Sequence, residues 1–206
     1  MLDPRPWRTL AVVGMALIVP AVTACAGGGS AASSSSQLTP ADVQRYVLVK
    51  ESTANLTRLI GLIGAADNTV QLYSAQPPRT TAARNLLYGS RLGWNAIVTQ
   101  LNAFTQAQGL AVPEVTAAVS RHKNIATTWQ NALDSLAEHP PHTIKQVRRR
   151  LATPQRQELQ ARHLLQATAL ALARVTCSMG VAHPELATSA DTATACGTAK
   201  QLAAAQ

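Results

Sequence analysis

PEVTAAVSRHKNIATTWQNALDSLAE, residues 113–138, carries the clearest period in the chain. Val115, Val119, His122, Ala126, Trp129, Leu133 and Leu136 step by four, three, four, three, four, three. Residues at that stepping line one face of a helix. A seam of that width predicts a helix packed against antiparallel neighbours at a shallow crossing angle. Composition agrees. Hydrophobic residues make up 47% of the chain but aromatics only 3%, so the core must be built from Leu, Val, Ile and much Ala, which favours close-packed helices over a sandwich. No segment shows the sustained alternation of a half-buried strand, and no repeat at a solenoid period is visible.

Working outward, a second helix is predicted from about Thr80 to Gln108, ended by Gly109. Leu86, Leu87, Trp94, Ile97, Val98, Leu101 and Phe104 supply its apolar face, and Gly89 and Gly93 leave room for close approach. Before it, a first helix opens at Thr39-Pro40, with Asp42 placed as in a capping box but with Asp for Glu. Its apolar positions are Val43, Val47, Leu56, Leu59, Ile60 and Ile63, and Pro77-Pro78 ends it. Downstream, Glu138-His139-Pro140-Pro141-His142 breaks the chain before a fourth helix capped by Thr143. Ile144, Val147 and Leu151 begin that helix. Pro154 either kinks it or opens a new one. Leu159, Leu164, Leu165, Leu170, Leu172 and Val175 then lead to Cys177, with Gly180 as the expected stop. The tail should hold one short helix carrying Cys196. Residues 39–206 thus read as an all-α domain, an antiparallel four-helix bundle with a short C-terminal helix.

The N-terminus follows different rules. Arg5 and Arg8 precede an apolar run, Leu10 to Cys25, and Ala26-Gly27-Gly28-Gly29-Ser30 follows it. A basic region, an apolar region and small residues before a cleavage point make an export signal rather than a fold element. The same stretch also admits an ordinary secretory signal or an uncleaved anchor. Val22-Thr23-Ala24-Cys25 resembles the bacterial lipobox: aliphatic, small, small, cysteine. The resemblance implies cleavage after Ala24, a diacylglycerol thioether on Cys25 and a mature protein tethered by lipid to the extracytoplasmic side of a membrane. Ala26 is not the aspartate that the family rule associates with inner-membrane retention, so in a two-membrane cell the implied address is the outer membrane. Residues 1–24 are then a signal peptide, and 25–38 a lipidated cysteine with a Gly/Ser-rich tether. Thirteen such residues reach about 20 Å.

With Cys25 on lipid, Cys177 and Cys196 remain, an even pair in an exported chain. A disulfide between them would close a loop of about twenty residues and contribute roughly 3 kcal/mol.

Removing residues 1–24 leaves 182 of 206 residues, enough for one domain with a real core. It also leaves 16 basic against 9 acidic side chains, a balance of +7. That charge favours anionic surfaces such as lipid headgroups or envelope polymers, and export argues against nucleic acid. The basic run points the same way. Lys145, Arg148 and Arg149 share a helical face, with Arg150 beside them and Arg156, Arg162 and Arg174 following. Guanidinium forks suit phosphate. Its plainer reading is a solvated face.

Histidines offer a second reading. His122 on the seam and His163 on the fourth helix could face each other and hold haem, a metal or a small apolar molecule near Trp94 and Trp129. Against this, each could be a core-edge histidine, and no inward Glu-x-x-His pair is present. His139 and His142 lack an evident third ligand. No Gly-x-Ser-x-Gly, phosphate-cradling glycine loop or His-Glu-x-x-His occurs, and the acids are scattered singly. The expectation is a non-enzymatic binding or scaffold module without a cofactor, held at a membrane beside an envelope protein or an anionic surface.

Overall fold

The structure is a computed structural model describing residues 38–106 and 113–205. The expected signal peptide, Cys25, the tether through residue 37 and the helix stop at Gly109 lie outside the described residues. Within them the chain is all-α. Five helices run in order, α1 (Pro40–Ala75), α2 (Thr81–Gln106), α3 (Pro113–Glu138), α4 (Ile144–Ala182) and α5 (Ser189–Ala204), and no strand occurs among the described residues.

Threonine starts four of them. Thr39 Oγ1 accepts from Asp42 N at 3.2 Å while Thr39 N donates to Asp42 Oδ2 at 3.0 Å, completing the capping box. Thr80, Thr143 and Thr188 accept from the backbone N–H three residues on, at 3.1, 3.2 and 3.1 Å. Each satisfies one donor that the helix cannot.

Packing closes a cycle. Helix α1 lies against α2 and α4, α3 lies against the same two, and α5 rests on α4. The expected seam of α3 is buried along its whole length, from Val115 through Leu136. At its centre Trp129 stacks on Trp94 of α2, ring centroids 4.9 Å apart and planes 18° from parallel. Gly93, one residue before Trp94, lets α2 approach α1: a Cβ there would sit 3.3 Å from that of Ala66. Gly89 makes only ordinary contact with Thr69.

Three expectations need correction. Val43 and Val47 are 45% and 44% exposed. Tyr46 and Val49 take the core instead, because the stepping that leads through Thr53, Leu56 and Ile63 places 43 and 47 one residue off the buried line. Leu159 and Leu164 face solvent for the same reason. The buried line of α4 runs Leu151, Pro154, Glu158, Ala161, Leu165, Thr168, Leu172 and Thr176. Gly180 does not stop α4, which runs to Ala182, with His183 as its cap and Pro184 beyond. The glycine is a contact point: a Cβ there would fall 2.6 Å from Thr192 Oγ1 on α5.

Pro154 sits inside one continuous α4, buried, without splitting it. Among the described residues α4 is also the one helix long and apolar enough to cross a membrane. Its buried apolar residues, Leu151, Leu165, Leu170 and Leu172 among them, belong to the shared core, whereas Leu159, Leu164 and Val181 are exposed. Cys177 and Cys196 bring their sulfurs into bonding contact across α4 and α5, with Cα atoms 4.8 Å apart.

Candidate anion-binding face

Helix α4 turns about 100° per residue, which puts Lys145, Arg149 and Arg156 within roughly 40° of one line and Arg148 about 60° to its other side. All four are exposed. None of the four side chains makes a hydrogen bond or an ion pair to any described residue. The first turn of α4 contains no acid, so Lys145 adds its charge to the positive end of the helix dipole, a placement that disfavours the helix slightly and strengthens the pull on anions.

Two neighbours in the basic run do something else. Arg150 Nη1 donates to the His139 carbonyl at 2.7 Å and ties down the turn between α3 and α4. Arg162 turns inward between α4 and α1. Its guanidinium contacts Asp67 of α1 and lies 2.7 Å from Glu158 Oε1, one turn back on α4. The Glu158 side chain is only 3% exposed, and burial pushes its carboxyl up to about 7. Burial likewise lowers the Arg162 guanidinium below its ordinary value. The three groups form an ion cluster linking α1 to α4, which scattered acids in the sequence did not reveal. The Glu158-to-Arg162 spacing of four was the available signal.

The histidines are not brought together as a facing pair. His163 is exposed on the outer side of α4. His122 is wholly buried on the α3 seam, both ring nitrogens without a hydrogen-bond partner among the described residues, and burial lowers its pKa to about 4. It is neutral at pH 7. His142 Nε2 lies 3.1 Å from Arg79 Nη2. No group of three His, Cys, Asp or Glu side chains positioned for a metal occurs among the described residues. No protein-family model matches the chain, and no curated protein or solved structure is significantly similar to it.

Proposed function

We propose that this chain is a membrane-tethered envelope lipoprotein, a non-enzymatic binding or scaffold module. In this reading the cycle of helices is an antiparallel four-helix bundle, its C-terminal helix stapled by a Cys177–Cys196 disulfide. A lipid on Cys25 holds it at the extracytoplasmic side of a membrane, and the outer face of α4 meets an anionic surface or an acidic envelope partner. The observation that carries the surface is that Lys145, Arg148, Arg149 and Arg156 are all exposed with no carboxylate paired to them among the described residues. Four cations left unneutralised on one face raise the local concentration of anions over about a Debye length. The address rests on the lipobox-like residues 22–25.

Co-sedimentation of the unlipidated domain with vesicles tests the surface. Binding to anionic vesicles should exceed binding to zwitterionic ones and fall steeply with salt. Replacing the four cations by Gln should abolish the difference. Equal binding to both vesicle types refutes the proposal for the surface, and an unmodified Cys25 thiol in the native protein, read by mass spectrometry, refutes it for the anchor.

A further inference from the structure

The turn between α1 and α2 (76–80) and the turn between α3 and α4 (139–143) meet at one end of the helices, and a cleft of about 390 Å³ opens there. Its lining is mostly apolar, with Leu87, Leu136, Pro140 and Pro141 among the residues that form it. Three arginines, Arg79, Arg84 and Arg91, help to line it. Arg91 is neutralised by Asp134, Nη2 to Oδ1 2.7 Å. Among the described residues the Arg84 guanidinium donates only to a hydroxyl, Thr81 Oγ1 at 3.3 Å, and that of Arg79 meets only the His142 imidazole. Two of the three charges therefore have no carboxylate among the described residues.

The backbone at the mouth adds an independent observation. Arg79 has φ of 68°, the one non-glycine residue with positive φ among the described residues. That conformation is unfavourable for a residue with a Cβ, and glycine would adopt it freely. An arginine there gives up backbone stability at a position that lines the cleft. Retained strain of this kind is a reason to ask what the side chain does there.

We infer that the cleft binds an amphiphilic anion, its apolar body against Leu87, Leu136 and the two prolines and its carboxylate or phosphate head between Arg79 and Arg84. The volume lies in the range of small-molecule sites, and an apolar lining with a few convergent polar groups is their usual make-up. Guanidinium forks take carboxylate and phosphate alike. A fatty acid and a lysophospholipid share this chemistry. The site is separate from the cations of the α4 face and needs none of them.

Calorimetric titration of the mature protein decides it, with three probes: dodecanoate and dodecyl phosphate below their micelle concentrations, and dodecanol below its solubility limit. Both anions should bind, at least 10-fold more tightly than the neutral alcohol. Tighter dodecanoate assigns the site to fatty acids, and tighter dodecyl phosphate to phospholipid fragments. Arg79→Gly relieves the backbone, so it should raise the melting temperature or leave it unchanged while weakening both anions about 10-fold or more. Arg84→Gln, on an exposed helical position, should weaken them similarly. The variant lacking Lys145, Arg148, Arg149 and Arg156 should bind both anions as the parent does, which keeps this result distinct from the vesicle experiment. Dodecanol binding as tightly as the anions, absence of binding by every probe, or undiminished affinity in Arg79→Gly would each overturn the inference.

Discussion

Arg162 Nη2 stands 2.7 Å from Glu158 Oε1, one turn away on α4, and the same nitrogen reaches Asp67 on α1. One guanidinium thus serves two carboxylates, and the more deeply buried of the two resists ionisation. Removing the cation leaves both acids uncompensated, and removing one member of a buried pair costs more than the intact pair contributes. Since Arg162 is about a quarter exposed, the loss should fall below that of a fully buried pair. Arg162→Gln is expected to destabilise the fold by about 2–3 kcal/mol at pH 8. At pH 5 the loss should shrink, because Glu158 is then protonated in the fold. Urea denaturation at the two pH values measures both numbers.

His122 and Glu158 pull stability in opposite directions over an overlapping pH window. Burial lowers His122 from 6.5 to about 4, so between those values the unfolded chain binds more protons and stability rises with pH. Burial raises Glu158 from 4.5 to about 7, so between those values the folded chain binds more protons and stability falls as pH rises. From about 4.5 to 6.5 the two slopes oppose each other. Each is worth on the order of 3 kcal/mol across its window. His122→Met should therefore make the protein lose stability as pH rises from 4.5 to 6.5, and Glu158→Gln should make it gain stability over the same interval. Identical pH profiles in the parent and both variants would contradict this.

How much of this was legible beforehand depended on the range of the interaction. The α3 seam could be read residue by residue, since every position on it is apolar or histidine and the period is unbroken. The threonine caps were legible at Thr39 and Thr143, where proline or a chain break stands beside them. The buried line of α4 was misread, because Glu158 occupies a core position and a search for apolar residues passes over it to Leu159. In α1 the buried line likewise passes through polar residues, Ser52 and Thr53, and on to Val49 and Tyr46, which left Val43 and Val47 outside. The exposed cations of α4 followed from spacing alone. Arg162 left that group because it pairs with Glu158 one turn back and with Asp67, far away in the sequence. The cleft was illegible for the same reason: its two turns are some sixty residues apart in the chain, and nothing local to either announces the other.

Gly180 meets Thr192 too closely for any side chain, which makes the pair a test of how α5 docks on α4. A Cβ at 180 would lie 2.6 Å from Thr192 Oγ1 and 3.2 Å from its Cγ2. Overpacking of this kind costs about 1–3 kcal/mol. It outweighs the gain of up to about 1 kcal/mol that alanine brings to a helix interior. Gly180→Ala should therefore lower the melting temperature. Thr192→Ala removes the two nearest atoms, so the double variant should recover most of the loss. A double-mutant cycle with no coupling between the sites would show that the helices do not touch there.

The proposed Cys177–Cys196 bridge should matter more to the unfolded chain than to the folded one. The residues are 19 apart, so cross-linking them removes loop-closure freedom from the denatured ensemble, about 3 kcal/mol for a loop of that size. Helix α5 buries little on its own: Leu202 is its one buried residue, and the exposed Lys50–Asp191 pair, 2.8 Å, adds little. Without the bridge, α5 should detach before the four longer helices unfold. Two results are expected of the Cys177→Ser, Cys196→Ser variant. Amide protons of residues 189–204 should exchange much faster, while those of the α3 seam keep most of their protection. Reduction of the parent should reproduce the pattern, and two reactive thiols in the denatured, unreduced protein would show that no bridge had formed.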